Sequence, residues 1–369
     1  MAPKKTAKVP AHLKPTDTGS VLSNTKLIIL NTKQKLSSLR SSGPTMITKP
    51  ALKSKTITQA RTPQTSPPHE PLRAPSALTA HDFEVGGTLG KGKFGRVYLA
   101  RHIETNYVCA LKIISKAQCS NEEEERLIRR ELEVHQNLTH KNILKLLSWF
   151  HDDKSIYLVL EYAPGGSLYS CLRKQPKGRF DERTAAQYVA QMAEALRYMH
   201  GKNIIHRDIK PENILLGLHR EIKLADFGYS VHSESGFRST VCGTLDYLSP
   251  EVVIMMIKPG KSRECYTKAI DQWSLGVLTY ELLVGKAPFE MKSTLGTQKE
   301  IASFKGKGIE SPSHASRDAE DMITKLLNMD GEERLGSDGV LVHPRVKRHV
   351  ERSIMSGIRK LDRMLERAV

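Results

Sequence analysis

The pattern of apolar and polar positions changes several times along the chain. From residue 81, apolar residues alternate with polar ones in FEVGGTLGKGKFGRVYLARHI and YVCALKIIS, and later in ILKLLSWF and SIYLVLEYA, which predicts strands. Between these runs, residues 121–138 have apolar side chains at helical spacing. Beyond Gly166 the pattern is mainly helical, as in TAAQYVAQMAEALRYMH and DQWSLGVLTYELL. A small β-rich lobe is therefore predicted to precede a larger α-helical lobe.

Residues 1–80 lack any such pattern. They contain 13 Lys and Arg residues against only Asp17 and Glu70, and therefore carry +11 of the formal net charge of +17. Ten of the 18 prolines and none of the aromatic residues lie there. Because such a segment cannot bury enough apolar surface to fold, we predict a disordered basic tail. A solvated leader, contacts with nucleic acid or with the acidic tails of tubulin, and a localisation signal are all compatible with it.

The end of the chain carries a second basic segment. In residues 346–369 apolar side chains recur at helical intervals, which predicts an amphipathic helix; they are Val346, Val350, Ile354, Ile358, Leu361 and Leu365. Docking on the large lobe and a role towards a partner or a membrane surface both fit this pattern. The folded domain is expected at residues 81–345, with the small lobe at about 81–162 and the large lobe at about 163–345.

Composition narrows the class of protein. The chain has no apolar run long enough for a signal peptide or a membrane span. Its five cysteines are widely spaced and form no CxxC pair, which indicates free thiols in a reducing compartment. We expect a soluble, intracellular protein without a membrane partner.

The segment HRDIKPENILLGLHREIKLADFG, residues 206–228, carries the main candidate chemistry. Phosphoryl transfer requires a carboxylate at the incoming hydroxyl and oxygen ligands for Mg²⁺. Asp208 fits the first role, and Asn213 and Asp226 fit the second, in the order and at the spacing of kinases. Lys210 is placed to neutralise the charge of the transferring phosphoryl group. The sequence therefore predicts a kinase that uses ATP and Mg²⁺.

A glycine motif upstream agrees with this prediction. Gly90, Gly92 and Gly95 give GxGxFGxV between two strand-like runs, where backbone amides can approach phosphates. A dinucleotide-binding fold is not favoured, because a β-type run rather than a helix follows the glycines. Lys112, in CALKII, is placed on the third strand to contact the α- and β-phosphates, and Glu131 on the predicted helix is its natural partner.

Taken together, these motifs resemble those of serine/threonine protein kinases, and the chain is similar to the Aurora family over roughly residues 82–345. DIKPEN resembles serine/threonine rather than tyrosine kinases. GKGKFGRVYLAR, RRELEV, LVLEYAPGG and above all STVCGTLDYLSPE resemble Auroras more than other basophilic kinases. The resemblance implies an α+β, bilobal protein-kinase fold with a small β-rich lobe and a larger α-helical lobe.

The resemblance also implies an ATP site at a hinge near residues 160–163. Glu161 and Ala163 would offer backbone groups to adenine, and Leu160 would be the gatekeeper residue. The residues expected to bind ATP are Leu89, Gly90, Lys91, Gly92, Gly95, Val97, Ala110, Lys112, Leu160, Glu161, Ala163, Glu212, Asn213 and Asp226.

Structural roles are implied in the same way. Asp271 in DQWSLG would be the buried anchor of the large lobe, and Glu251 would bridge to Arg334. Thr244 would lie beside Asp208 and Lys210. Stacked members of a hydrophobic spine would be His135, His206 and Phe227.

Regulation is expected at the activation loop. Thr240 aligns with the activating phosphothreonine of the family, and Ser239 is a secondary candidate. A phosphate there would add nearly two negative charges. Arg130 and Arg207 are its expected partners, because guanidinium groups pair well with phosphate.

Substrate choice follows from charge. Glu212 and Glu281 occupy positions that, in similar basophilic kinases, receive an Arg two residues before the phosphorylated hydroxyl. Arg238 lies two residues before Thr240, so autophosphorylation in trans is expected. The expected substrates are therefore proteins with Arg-x-Ser/Thr sites.

The resemblance implies work in mitosis at the spindle, centrosome or chromosomes, with an inner-centromere-type or spindle-targeting activator and a possible association with microtubules or chromatin. Which activator applies is open, because Ser148 and Trp149 match neither pattern. Tyr229 after DFG and about six additional residues before Asp271 depart from typical Auroras. The string ERLGSDG also fits basophilic kinases of other groups, which are one alternative. The second alternative is not an active enzyme: it is a pseudokinase that serves as a scaffold on microtubules or chromatin.

Overall fold

Five antiparallel strands form the small lobe. The computed structural model describes residues 78–92, 95–118, 122–233, 242–257, 265–306, 309 and 314–350. The strands are β1 (Phe83–Gly92), β2 (Gly95–His102), β3 (Val108–Ser115), β4 (Leu146–His151) and β5 (Ser155–Leu160). Their spatial order is β1-β2-β3-β5-β4. Together with the helical large lobe described below, this antiparallel sheet confirms the predicted α+β, bilobal fold.

The two faces of the sheet pack differently because side chains alternate along each strand. From β3, Ala110 and Ile114 face helix α1 (Glu122–His135), where Ile128 joins the same apolar cluster. Leu111, between them on β3, packs on the opposite face in a second cluster with Phe83, Tyr157 and Val159. Helix α1 ends at His135, three residues before the predicted end at 138, since the chain turns there to bury Leu138.

Helices build the large lobe. They are α2 (Leu168–Arg173), α3 (Glu182–His200), α4 (Pro250–Ile257), α5 (Ala269–Val284), α6 (Thr294–Ser303), α7 (Arg317–Leu326) and α8 (Ser337–Val342). Side-chain oxygens of Ser167, Asp181, Ser293 and Ser316 cap the N-termini of α2, α3, α6 and α7. Helix α5 is buried from Ile270 to Leu283 and lies at the centre of the core.

Four short strands lie in the part of the chain between α3 and α4. They are β6 (Ile204–Ile205), β7 (Ile214–Leu216), β8 (Ile222–Leu224) and β9 (Val231–His232), and they pair as β6 with β9 and β7 with β8. Single 3-10 turns lie at Ala80–Asp82, Lys116–Gln118, Pro211–Asn213 and Leu245–Tyr247. The loop between β6 and β7 is thereby fixed at both ends.

Both ends of the described chain pack on the domain. Leu78 and Ala80 contact the apolar cluster of the small lobe. Residues 344–350 are helical, with Val346 buried and Val350 packed against the core of the large lobe. The rest of the predicted terminal helix, residues 351–369, lies outside the described residues. Within the part that the structure describes, no helix is both long and apolar enough to cross a membrane.

Candidate active site

A buried carboxylate on α5 fixes the backbone of the loop between β6 and β7. Asp271 accepts hydrogen bonds from the backbone N–H groups of His206 and Arg207, both at 2.9 Å, and from the ring of His200 at 2.8 Å. Arg207 adopts a positive φ of 71°, which is costly for a residue with a side chain. The implied role of Asp271 as an anchor agrees with these contacts.

Three side chains converge on the carboxylate of Asp208. It accepts hydrogen bonds from Asn213 Nδ2 at 2.8 Å, Thr244 Oγ1 at 2.9 Å and Lys210 Nζ at 2.9 Å. Lys210 Nζ also donates to Thr244 Oγ1 at 2.6 Å. The carboxylate is therefore held in one orientation, with a cation beside it. A hydroxyl that approached this carboxylate could give up its proton to it.

Lys112 and Glu131 form an ion pair between β3 and α1. Lys112 Nζ lies 2.6 Å from Glu131 Oε1, and the two side chains are only 15% and 6% exposed. Burial alone lowers the pKa of Lys112, but the charges of Glu131 and Asp226 outweigh burial, and the pKa is raised above its usual value. Lys112 is therefore a positive charge held by Glu131, and it also feels the charge of Asp226.

Asp226 and Asn213 come from adjacent segments. The N–H of Ala225 donates to the backbone oxygen of Asn213 at 2.8 Å, which places Asp226 next to it. Asp226 has a φ of 64° and an exposed side chain. Asn213 directs its amide nitrogen to the backbone and side-chain oxygens of Asp208, which leaves its amide oxygen available. One carboxylate and one amide oxygen are the hard donors that a divalent cation such as Mg²⁺ prefers.

Apolar side chains from both lobes line the space between the glycine loop and the hinge. Val97, Ala110, Leu160 and Ala163, all predicted, belong to one cluster. Leu215 on β7 and Ala225 belong to it too, and the sequence analysis missed them. The sequence did carry a signal for Leu215, which is an apolar residue two positions after Asn213. In the structure it is the partly exposed residue of the otherwise buried strand ILL.

The hinge directs the side chain of Glu161 away from this cluster. Glu161 Oε1 lies 2.7 Å from Lys223 Nζ, and its N–H donates to the backbone oxygen of Lys145 at 2.9 Å. Its carboxylate is therefore engaged elsewhere, and a contact with adenine would use its backbone carbonyl. The backbone contact of Glu161 with adenine stays a prediction.

The three glycines of the motif have different environments. A Cβ on Gly95 would lie 1.8 Å from the backbone oxygen of Ile113, so this glycine lets β2 approach β3. A Cβ on Gly90 would meet nothing within 4 Å, and one on Gly92 nothing nearer than 3.8 Å. Leu89 and Lys91 are exposed beside them. Among the described residues, nothing fills the space next to Gly90 and Gly92, which leaves that space open to a ligand.

Phe227 connects the catalytic loop to α1. Its ring centroid lies 4.6 Å from that of His135 and 5.3 Å from that of His206. Burial lowers the pKa of His135 to about 4, and its Nε2–H donates to the backbone oxygen of Leu144 at 2.6 Å. His135 is therefore neutral near pH 7. Phe227 thus contacts both histidine rings, tilted by 44° to His135 and by 67° to His206, as the implied spine requires.

Thr240 and Ser239 lie outside the described residues and remain predictions. Arg207 donates to the backbone oxygen of Tyr229 at 2.6 Å and to the hydroxyl of Tyr266 at 2.7 Å. Arg130 is exposed on α1. Burial raises the pKa of the Cys242 thiol although both arginines oppose that change, so both cations lie near the end of the activation loop.

The two glutamates expected to read the substrate lie near each other. Glu281 is buried on α5, accepts a hydrogen bond from the hydroxyl of Tyr247 and lies 3.6 Å from Arg173. Burial raises its pKa, and so does the charge of Glu212, whose side chain is exposed. Glu212 is therefore the exposed carboxylate on the 3-10 turn of the catalytic loop, whereas the carboxylate of Glu281 is buried beside Tyr247 and Arg173.

An ion pair ties α4 to the loop after α7. Arg334 donates to both carboxylate oxygens of Glu251, at 3.0 and 3.2 Å, and to the backbone oxygen of Ala269 at 2.8 Å. Its guanidinium also lies over the Trp273 ring at 5.3 Å. This is the bridge that the sequence analysis expected, and it supports the segment that follows the activation loop.

The bilobal fold and this constellation define a protein kinase. The family model for the protein kinase domain matches residues 83–346, and the chain belongs to that family. The enzyme is therefore a kinase that uses ATP and a divalent metal and phosphorylates protein substrates.

Comparison with known proteins identifies similar members within the protein kinase family. The chain is 51% identical over 263 residues to the Aurora kinase of Schizosaccharomyces pombe, which covers 71% of this chain and 70% of that protein. It is 47% identical over 275 residues to Aurora kinase C of Mus musculus, covering 74% of this chain and 95% of that protein. Aurora kinase A-A of Xenopus laevis is 48% identical over 263 residues, covering 71% of this chain and 61% of that protein.

The chain belongs to the Aurora kinase family, and it is a serine/threonine protein kinase. Because these relatives are Aurora kinases, the alternative that the chain is a basophilic kinase of another group, suggested by ERLGSDG, is wrong.

Proposed function

We propose that this Aurora kinase transfers the γ-phosphoryl group of ATP, with Mg²⁺, to Ser or Thr hydroxyls that follow an Arg at position −2. The observation that supports this preference best is the pair of Glu281 and Glu212 beside the catalytic loop. A guanidinium pairs with carboxylates more favourably than a neutral side chain does. The same arrangement disfavours an acidic residue at that substrate position.

Each predicted catalytic residue has a role in this proposal. Asp208 orients the incoming hydroxyl and accepts its proton, and Lys210 offsets negative charge on the transferring group. Lys112, held by Glu131, binds the α- and β-phosphates. Asn213 and Asp226 would hold Mg²⁺ through their oxygens, and the bound ion would supply positive charge for the phosphates of ATP.

Activation by phosphorylation of Thr240, with Ser239 as a secondary site, is the second part of the proposal. Arg207 and Arg130 near Cys242 would pair with the phosphate and tie the loop to α1. Because α1 carries Glu131, this pairing would keep Lys112 and Glu131 together. Arg238 supports autophosphorylation in trans by the same Arg-at-−2 rule.

The cellular part of the proposal rests on the Aurora family. We propose that the kinase is found in the cytoplasm and the nucleus. In mitosis it would act at the spindle, the centrosome or the chromosomes. An inner-centromere-type or spindle-targeting segment would activate it. The basic residues 1–80 support an association with acidic microtubule or chromatin surfaces.

Peptide kinetics test the substrate preference. We expect a peptide with Arg-x-Ser to have a kcat/KM at least about tenfold above the same peptide with Ala at −2, since a charge-assisted pair contributes about 1.5–3 kcal/mol. Glu281→Gln and Glu212→Gln should each reduce this ratio, and Glu104→Gln, at an exposed turn of the small lobe, should leave it unchanged. Equal kcat/KM for both peptides with the unaltered enzyme would refute the preference.

A further inference from the structure

We propose that residues 26–42 of this chain dock beside the active site of the same kinase molecule, and that the kinase phosphorylates Ser42 there. The segment reads KLIILNTKQKLSSLRSS and lies outside the described residues. The assignment of Ser42 rests on the proposed preference for Arg at −2, and the docking rests on a described surface of the large lobe.

The sequence points to Ser42 as the acceptor. The string Arg-x-Ser/Thr occurs twice in the chain, at residues 238–240 of the activation loop and at residues 40–42. Upstream of the second string, the segment has two lysines and an apolar run, which are Lys33, Lys35 and residues 27–30. From its start to its end, the segment is therefore first apolar, then basic, and it finishes in an acceptor motif.

The surface next to the catalytic carboxylate continues towards α6. Thr244, which donates to Asp208 at 2.9 Å, directly precedes the 3-10 turn Leu245–Tyr247. This turn contacts α6 and contains the half-buried Asp246. Glu290, exposed in the loop before α6, lies close enough to Asp246 for the two charges to interact. A segment with its hydroxyl at Asp208 can therefore follow the large lobe to the start of α6.

This surface carries an excess of negative charge. Burial raises the pKa of Asp246, and the charge of Glu290 raises it further. Burial also raises the pKa of Glu281, as do the charges of Glu212 and Glu290. Among the described residues, the cation paired with these four carboxylates is Arg173, at 3.6 Å from Glu281. The other three carboxylates have no ion-pair partner in the described part of the chain, so they would attract the lysines of a docked segment.

Exposed apolar side chains follow at the start of α6. Met291 is 53% exposed and Leu295 is 58% exposed. A Cβ on Gly296 would lie 3.2 Å from the Cβ of Met291, so Met291 packs on the first turn of α6, where Leu295 also lies. Met256 and Ile257 at the end of α4 are exposed as well, and α4 contacts α6. An apolar run of a docked segment can bury such side chains. We call the following residues the docking surface: Asp246, Glu290, Met291 and Leu295.

The segment and the docking surface present the same properties in the same order. With Ser42 at Asp208, the two lysines meet the acidic part of the surface and the apolar run meets its apolar part. Leu30 precedes Ser42 by 12 residues, which span at most about 40 Å when extended. A lobe of about 180 residues has a diameter of about this size. The length of the segment therefore fits the surface, and the match in order argues for this segment as the occupant.

The connection to the folded domain is long enough for the reaction to occur within one molecule. Leu78, where the described chain begins, packs on the small lobe. Residues 43–77 join it to Ser42, and a chain of this length reaches about 120 Å when extended. A domain of about 270 residues is smaller than that, with a radius of gyration of about 18 Å. Tethering supplies an effective concentration in about the millimolar range, so Ser42 reacts faster with its own active site than with another copy.

The transfer uses the chemistry proposed for other substrates. The Oγ of Ser42 bonds to the γ-phosphorus of ATP, the bond from that phosphorus to the oxygen bridging to the β-phosphate breaks, and ADP leaves. The proton of the hydroxyl passes to Asp208. Phosphoserine carries nearly two negative charges, which the carboxylates of Glu212 and Asp246 repel. The segment therefore occupies the docking surface before phosphorylation, when it competes with other substrates, and leaves it afterwards.

A mixture of two forms of the full-length kinase tests the proposal. The active kinase is mixed with an equal amount of isotope-labelled Asp208→Asn kinase, which lacks the catalytic carboxylate, and Mg-ATP is added. Mass spectrometry then measures phosphate on Ser42 of each form. We expect Ser42 of the active form to react at least about tenfold faster, because it alone is tethered to a working active site. Thr240 of the labelled form reports how fast different copies react with each other.

Variants of the active form test the docking surface. Met291→Ser combined with Leu295→Ser should slow the phosphorylation of Ser42 about fivefold or more, since apolar contacts are lost. Leu27→Ser combined with Leu30→Ser should have the same effect, because it removes the other side of those contacts.

The matched control is Leu218→Ser combined with Val342→Ser, at positions of the large lobe that are 74% and 60% exposed. It should leave the rate at Ser42 unchanged. The inference is wrong if Ser42 of the active form is not phosphorylated or if Ser42 reacts equally in both forms. It is also wrong if the control pair slows the reaction as much as the pair on the docking surface does.

Peptide kinetics distinguish a failure of this inference from a failure of the proposed function. If short peptides show the preference for Arg at −2 and Ser42 stays unmodified, the docking of residues 26–42 is refuted and the substrate preference stands. If the peptides show no such preference, the proposed function fails as well.

Discussion

At the scale of single residues, buried charges in this kinase are arranged in pairs whose partners decide the protonation state. Lys112 remains a cation although burial disfavours it, because Glu131 and Asp226 lie close. Asp271 has a lowered pKa despite its complete burial, since His200 and backbone N–H groups compensate its charge. In each case the sequence supplies the residue, and the fold supplies the partner that keeps it charged.

The pair of Lys112 and Glu131 gives the first prediction. Glu131→Gln removes the charge that holds Lys112, so we expect kcat/KM for ATP to fall by about 100-fold while the fold is retained. Steady-state kinetics and a thermal unfolding curve measure the two effects. Glu125→Gln is the control, because Glu125 pairs with Arg129 on the exposed face of α1. A similar loss in both variants would contradict the role of the buried pair.

The second prediction concerns the neutral His135. Its pKa is about 4 in the folded kinase and about 6.5 in an unfolded chain. Between these values only the unfolded chain takes up a proton, so stability is present above about pH 6.5 and is lost as the pH falls towards 4. We expect this residue to lower the free energy of unfolding by about 2 kcal/mol between about pH 7 and pH 5.

Urea unfolding at both pH values checks this expectation against His135→Gln, which keeps a side-chain donor for Leu144 but cannot titrate. The variant should lose less stability on acidification. His206, whose pKa burial also lowers, is present in both proteins and cancels in the comparison. Identical pH dependence would show that His135 does not act in this way.

At the scale of elements, close contacts between backbones decide where side chains can go. Gly95 allows β2 to approach β3, and that approach sets the strand that carries Lys112. The register pairs Val97 with Lys112, which places both beside the open space at Gly90 and Gly92. The glycine motif thus supports the sheet as well as the ligand site.

Gly95→Ala is the third prediction. The added Cβ would overlap the backbone oxygen of Ile113, so the strands must separate, and we expect a loss of about 1–3 kcal/mol in the free energy of unfolding. Thermal and chemical unfolding measure the change. Gly87→Ala on β1 is the control, since its Cβ would meet nothing within 4 Å. Equal stability of the two variants would contradict the role of Gly95 in strand packing.

The ion pair between α4 and the loop after α7 gives the fourth prediction. The Arg334 side chain is fully buried, and its loss would leave Glu251 unpaired, so Arg334→Ala should destabilise the kinase by about 3 kcal/mol. Arg348→Ala, which breaks a pair with Asp318 nearer the surface, should cost less than about 1 kcal/mol. The two variants are compared by their unfolding midpoints, and the order of the two effects decides the prediction.

At the scale of the whole molecule, the nucleotide site joins two lobes with separate apolar clusters. Residues of β2, β3, the hinge and β7 meet in one cluster at their junction. A ligand that fills this junction stabilises both lobes by mass action. Binding therefore has a signature in stability as well as in activity.

The fifth prediction uses that signature. At about 100 times its Kd, ATP with Mg²⁺ should stabilise the kinase by about 2.7 kcal/mol, and removal of the metal with a chelator should reduce this gain. Asp226→Asn should abolish the effect of the metal and leave a smaller effect of ATP alone. Differential scanning calorimetry measures each case. A gain that does not depend on the metal would contradict the assignment of Asp226 and Asn213.

The sequence by itself determined the lobe order, the catalytic segment and the family. These features are encoded locally: alternation predicts strands, helical spacing predicts helices, and HRDIKPEN with DFG brings its residues together within a short stretch of chain. The tertiary structure alone decided what distant segments place side by side. Leu215 and Ala225 in the apolar cluster, Tyr266 at Arg207 and the end of α1 at His135 all depend on packing between elements. The physical reason is that local patterns record which face of an element is buried, whereas its partners depend on how all the elements fill the same core.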